Sequence, residues 1–230
     1  MIRVAVTTAH DASERVAAVF RTYGLSPVVL PCIQPFSGEE EVLLRLRRAA
    51  SSAHWVLITS ARAVVATWPQ GGMPAVPVAA VGEASARAVH GAGGRVALWG
   101  GSGVEDVLAL MSPDLDGRQV VFPHARDADR GTVDRLERLG ARVVAGVAYG
   151  VVPIAPGPDP VDAVAFGSPS AVEGWVSGRT LDGLSVGAVG PTTAAALRAH
   201  GCPPDVVADR PEFGRLAAAM AQRAGERIPS

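Results

Sequence analysis

The chain has no lysine. All 21 of its Lys-plus-Arg positions are arginine, against 22 acidic residues, for a formal net charge of -1. Without lysine there is no Schiff-base amine and no P-loop phosphate ligand. With so little net charge there is no broad field to steer nucleic acid, and no nucleic-acid partner is expected. There are two cysteines, Cys32 and Cys202, and no CxxC pair. Both are read as reduced structural thiols, which fits a cytoplasmic location. The five histidines, His10, His54, His90, His124 and His200, lack HExxH or CxxH spacing, so no metal site is expected. Gly82 and Gly190 open motifs too short for a GxGxxG dinucleotide loop, and Ser60, Ser168 and Ser170 lie in no GxSxG elbow. No apolar run reaches membrane-spanning length, and the first residues read as a strand rather than a signal peptide.

What the chain does have is an internal match. The stretch Leu57-Ile58-Thr59-Ser60-Ala61-Arg62-Ala63-Val64 aligns with Ala165-Phe166-Gly167-Ser168-Pro169-Ser170-Ala171-Val172. The stretch starting Ala80-Val81-Gly82-Glu83-Ala84-Ser85 aligns with the one starting Ala188-Val189-Gly190-Pro191-Thr192-Thr193. Ser60 to Ser168 and Gly82 to Gly190 are both 108 positions apart, and a shared offset over two separated motifs argues for duplication. A weaker match pairs Val4-Ala5-Val6 and Gly24 with Val120-Val121-Phe122 and Gly140. The copies run roughly 1–116 and 117–230. One duplication is not a solenoid, which needs at least three repeats.

At 48% apolar and 19% charged residues, the 230-residue chain has the composition of a globular protein with sizeable cores. Short Val/Ala/Ile/Leu runs at 3–7, 55–58, 77–81, 119–122, 162–166 and 185–189 predict strands buried on both faces. Amphipathic stretches at 12–23, 61–68, 83–91, 128–139, 169–176 and 191–200 predict the helices that follow them. Gly24, Gly140 and Gly201 stand where helix C-caps belong. Alternating strand and helix means α/β architecture with doubly wound parallel sheets. Proline marks two linker segments, 31–35 and 149–153. The stretch 41–50, with Arg45, Arg47 and Arg48, reads as a helix with a solvated face.

The chemistry concentrates at strand-to-helix turns. Thr59-Ser60 with Arg62, Gly82 with Ser85, Ser168-Pro169-Ser170, and Gly190-Pro191-Thr192-Thr193 all fall there. Ser and Thr at such positions cap helices. The same free N–H groups also receive carboxylates or phosphates, at the sheet edge where open α/β folds bind ligands. A single turn of this kind is usually only a cap; four, paired by duplication, keep a binding role open. His124 is either an exposed loop histidine or a donor to a ligand carboxylate. Tyr149, one of two tyrosines, is either a packing residue at a hinge or a phenol able to donate a proton without carrying charge.

These residues, with Arg130-Gly131, Leu139-Gly140-Ala141 and the tail from Val206 through Pro211-Glu212-Phe213-Gly214-Arg215-Leu216, resemble the uroporphyrinogen-III synthase family over nearly the whole chain. The resemblance implies two flavodoxin-like domains, 1–33 plus 154–230 and 38–148, joined by connectors 34–37 and 149–153 that form a two-stranded link, with a cleft between the domains. It implies a cytoplasmic lyase that needs no cofactor or metal and has no membrane partner; a monomer is expected. The substrate it implies is hydroxymethylbilane, a linear tetrapyrrole with eight carboxylates. This would lose its hydroxyl and close through a spiro intermediate with ring D inverted. Tyr149 matches the tyrosine proposed to assist departure of the hydroxyl. Ser85, Ser168, Ser170, Thr192 and Thr193 match positions that line the cleft.

Four positions depart from the family pattern. Thr8, His124 and Gly150 stand where arginine is common, and Gly167 where threonine is usual. The first three remove cations from the neighbourhood of a polyanion, for which Arg62, Arg126 or Arg210 are candidate replacements. A reading from another class is a non-catalytic module of the same fold that binds a tetrapyrrole or small anion. A receiver-like regulatory domain lacks its acidic cluster at a strand end.

Overall fold

The computed structural model describes residues 1–101, 103–128 and 131–226. In chain order the elements are β1 (Arg3–Val6), α1 (His10–Thr22), β2 (Ser26–Val29), β3 (Ile33–Ser37), α2 (Glu40–Ala50), β4 (Trp55–Ile58), α3 (Ala61–Thr67), β5 (Pro77–Val81), α4 (Gly82–Gly91) and β6 (Arg95–Gly100). They continue with α5 (Val104–Met111), β7 (Gln119–Ala125), α6 (Gly131–Arg138), β8 (Arg142–Pro153), β9 (Ala163–Phe166), α7 (Pro169–Val176), β10 (Ser185–Ala188), α8 (Pro191–Ala199), β11 (Val206–Val207) and α9 (Phe213–Glu226). The fold is α/β with parallel sheets and, among the described residues, nine helices.

The chain divides into two compact units, Met1–Pro35 with Val151–Ser230, and Phe36–Gly150. In the first, five strands lie in the order β11-β10-β9-β1-β2, all parallel. Alternate residues of each strand face opposite ways, as the two-residue strand period requires. Ala5, Val164, Phe166, Val186 and Ala188 pack with α7 and α8, where Trp175 meets Phe166 edge-on at 6.0 Å. Val4, Val6, Ala163 and Ala165 pack on the other face with Phe20 of α1 and Leu216 and Met220 of α9. Burial on both faces is why these strands read as unbroken apolar runs rather than alternating ones.

The second unit repeats this plan within a six-stranded sheet ordered β3-β8-β7-β4-β5-β6. Val56, Ile58, Val78 and Val121 pack under α2, α3 and α4, while Trp55, Leu57, Ala79, Val120 and Phe122 pack under α5 and α6. Apart from β3, the strands run parallel. Hydrogen bonds from Gly38 N–H to the Ala148 carbonyl (2.7 Å) and from Ile154 N–H to the Cys32 carbonyl (2.9 Å) set β3 antiparallel to β8.

The structure adds detail to several expectations. The segments 31–35 and 149–153, marked as linkers by proline, lie largely within β3 and β8. Pro35 is tolerated because β3 is an edge strand, where a missing N–H breaks no ladder. The helix over 41–50 is present, but not all its arginines are solvated: Arg47 donates to the Thr67 carbonyl at 3.0 Å and pairs with Glu40. Arg45 donates to the Ala145 carbonyl at 3.1 Å. Gly24, Gly140 and Gly201 do end helices, each at positive φ (72°, 86° and 74°). Gly24 N–H bonds Arg21 and Leu25 N–H bonds Phe20, so the last carbonyls of α1 are satisfied.

Candidate active site

The turns singled out in the sequence lie at the C-terminal ends of neighbouring parallel strands. In the Phe36–Gly150 unit the order β8-β7-β4-β5 brings Tyr149, His124, Thr59-Ser60 and Gly82 to successive strands. In the other unit β1, β9 and β10 bring Thr7-Thr8, Gly167-Ser168 and Gly190 to successive strand ends.

Only two of the four turns carry a side-chain cap. Ser60 Oγ accepts from Arg62 N–H at 3.2 Å at the start of α3. Ser168 Oγ accepts from Ala171 N–H at 3.3 Å at the start of α7, with Pro169 in the first turn. Gly190 caps α8 with extended backbone and no side chain, and α4 begins at Gly82 (φ 75°) with no side-chain cap. The first N–H groups of α4 and α8 therefore have no side-chain acceptor. Ser85 and Thr193 are buried, whereas Thr192 and Arg62 are exposed and Thr59 and Ser170 half-buried. Ser85 lies too far into α4 to be an N-cap.

The opposite edge of the first unit is acidic. Asp162 accepts from Arg3 N–H at 2.8 Å, and Asp205 accepts from Val186 N–H at 2.9 Å. Carboxylates thus serve strand starts, while the strand ends offer hydroxyls and free N–H groups. That polarity suits an anion at the C-terminal edge.

His124 lies within β7, which runs to Ala125, and is half-buried, so the loop-histidine reading is replaced. Its Nδ1 lies 2.7 Å from the Ala125 carbonyl and its ring 5.2 Å from that of Phe122. Tyr149 pairs with Ala125 across the β7–β8 ladder and is half-buried; among the described residues its hydroxyl has no hydrogen-bond partner. Its carbonyl accepts from Arg126 N–H at 2.9 Å. The Arg126 guanidinium lies 4.2 Å above the centre of the Phe36 ring.

The departures from the family pattern have local causes. A Cβ on Gly150 would stand 2.5 Å from two Phe36 ring atoms and 3.0 Å from Arg126 Cβ. A Cβ on Gly167 would stand 2.6 Å from Phe213 Cζ, so that ring fills the space a threonine would use. Thr8 Oγ1 lies 3.3 Å from Ser13 Oγ, making a local turn of neutral hydroxyls. Arg130 lies outside the described residues. Sequence reasoning gave Phe36 no role, since only the β3–β8 pairing brings it to Gly150. Among the described residues no three His, Cys, Asp or Glu side chains gather as a metal site, and no helix is long and apolar enough to cross a membrane.

Fold and site together define a parallel α/β protein whose strand ends carry hydroxyls, helix N–H groups without side-chain caps and the phenol of Tyr149. The family model described as uroporphyrinogen-III synthase HemD matches residues 14–218. The chain therefore belongs to the uroporphyrinogen-III synthase family, cyclising lyases of haem biosynthesis. Solved structures agree in fold. Uroporphyrinogen-III synthetase from Helicobacter pylori is 16% identical, with a TM-score of 0.65 over 99% of this chain and 100% of that one. A mutant uroporphyrinogen III synthase from the extremely thermophilic bacterium Thermus thermophilus is 21% identical, with a TM-score of 0.63 over 99% and 100%. No curated protein sequence matches significantly.

Proposed function

We propose that this protein converts hydroxymethylbilane to uroporphyrinogen III, removing the terminal hydroxyl and closing the ring through a spiro intermediate with ring D inverted. The observation that carries this reading is the family match across residues 14–218, nearly the whole chain. The strand-end chemistry supports it. A substrate with eight carboxylates suits many neutral N–H and hydroxyl donors better than a few cations, because backbone donors fix orientation without mobile side chains. Orientation supplies much of the barrier reduction when one chain end must attack the other.

In this proposal Tyr149 donates a proton or hydrogen bond to the departing hydroxyl, and its phenol, which has no hydrogen-bond partner among the described residues, is free to do so. Thr59, Ser60, Arg62, Gly82 and His124 contact the substrate from one unit. Ser168, Ser170, Gly190 and Thr192 contact it from the other. Ser85 and Thr193, being buried, shape α4 and α8 beneath the donors. The reaction needs no metal or organic cofactor, and the protein works as a cytoplasmic monomer.

We also infer that the chain arose by duplication, with 34–37 and 149–153 as a two-stranded connector between domains 1–33 plus 154–230 and 38–148. Both sheets support this. With β7 and β8 taken as its first two strands, the second sheet reads 2-1-3-4-5 beside its extra edge strand β3, and the first reads the same. Setting β3 aside, each sheet then holds two strands of one copy and three of the other.

The test is incubation of the purified chain with enzymatically generated hydroxymethylbilane, then oxidation and chromatographic separation of the isomers. The type III isomer is expected. The type I isomer alone, which forms spontaneously, would sink the proposal.

A further inference from the structure

We propose that Arg126 grips a substrate carboxylate at the strand end next to Tyr149, with Phe36 and Gly150 shaping its seat. This rests on the function proposed above and adds to it a specificity-determining residue.

Three observations converge. First, Arg126 is exposed, and among the described residues its guanidinium meets no carboxylate. Four other arginines of this unit are held by carboxylates: Arg47 by Glu40, Arg87 by Glu83, Arg118 by Asp114 and Arg135 by Glu105. Second, the guanidinium is not adrift. It lies 4.2 Å above the Phe36 ring, a cation–π contact that holds its plane while leaving its N–H fork open. Third, its backbone is tied to the candidate acid, because Arg126 N–H donates to the Tyr149 carbonyl at 2.9 Å. Any shift of Arg126 therefore pulls on the strand that carries Tyr149.

Gly150 makes the seat possible. A side chain there would place its Cβ 2.5 Å from Phe36 Cε1 and Cζ and 3.0 Å from Arg126 Cβ. The tip of the Phe36 ring would have to shift, and Arg126 Cβ to give slightly. A larger residue at 150 would thus displace the ring on which Arg126 is stacked. Arginine suits a carboxylate because its two parallel N–H groups match both oxygens. The two other candidates lack this seating: Arg62 and Arg210 are exposed and, among the described residues, stack on no ring.

The experiment compares wild type with Arg126→Gln, Arg126→Lys and Gly150→Ala. It measures steady-state kinetics on hydroxymethylbilane, binding of uroporphyrin III by fluorescence quenching, and Tm. Arg126→Gln is expected to raise KM and weaken uroporphyrin binding about ten- to a hundredfold, the loss of one charge-assisted pair, with kcat changed by less than about threefold. Its Tm should stay within about 2 °C of wild type, because the side chain is exposed. Arg126→Lys should recover part of the affinity, since it restores charge but not the fork. Gly150→Ala should raise KM with the charge still present. Wild-type KM and affinity in Arg126→Gln would overturn the inference, as would a loss confined to Tm and kcat. A wild-type chain that makes only the type I isomer yet loses uroporphyrin affinity in Arg126→Gln would defeat the proposed reaction while leaving Arg126 as the anion ligand.

Discussion

Tyr149 sits where β8 runs beside the end of β7, with its hydroxyl unpartnered among the described residues and its carbonyl engaged by Arg126. Tyr149→Phe removes one oxygen and leaves the strand pairing intact. It is expected to lower kcat about a hundredfold with little change in KM, the size of effect usual for a lost general acid. A variant with full turnover would take Tyr149 out of the chemistry. Cys32 gives a second test. Its thiol is buried and donates to the Leu30 carbonyl at 3.3 Å, and burial pushes its pKa up to about 12. The folded state thus favours the protonated thiol. Its contribution to stability is fully present below the unfolded thiol's pKa and is lost as pH rises from there toward about 12. The unfolding free energy of wild type should therefore fall more steeply over that window than that of Cys32→Ala. Parallel curves would show that burial of the thiol carries no linkage.

At the scale of elements, α7 makes a close backbone approach to the strand ends beneath it. A Cβ on Gly174 would overlap the Cys32 carbonyl oxygen and stand 2.7 Å from that of Ile154. Both neighbours are main chain and cannot turn aside. Gly174→Ala should cost about 1–3 kcal/mol or more, read as a lower urea midpoint; an unchanged midpoint would mean α7 can lift without loss. Legibility from sequence follows the same physics. Strands buried on both faces, such as β4 and β9, announce themselves as apolar runs, and the caps at Ser60 and Ser168 announce the helices after them. The sequence did not reveal β6. It is an edge strand with alternating exposure, including Trp99 at 58%, and its register shifts opposite Val78 and Ala79. The turns were legible as a set but not their exposure: Ser85 and Thr193 look like surface hydroxyls until α4 and α8 are packed. Phe36 was invisible because its partner Arg126 lies 90 positions away in sequence and meets it only through the pairing of β3 with β8.

For the whole molecule, the two sheets share one strand order apart from the extra edge strand β3, and each is covered by helices on both faces. Asp162 and Asp205 accept from the strand starts of the first unit, which sets carboxylates at the edge opposite the proposed substrate site. Asp205 also holds Arg223 of α9 at 2.6 Å, so Asp205→Ala should loosen α9 and lower stability by about 1–2 kcal/mol without altering KM. A rise in KM would mean that this edge bears on the substrate after all. The central claim is that this chain inverts ring D rather than merely binding a tetrapyrrole. It is tested most directly with hydroxymethylbilane carrying carbon-13 in the ring D acetate side chain, followed by NMR of the product. The account expects the label in the inverted order of the type III isomer, at a rate proportional to enzyme concentration. Label left in the original order would contradict it.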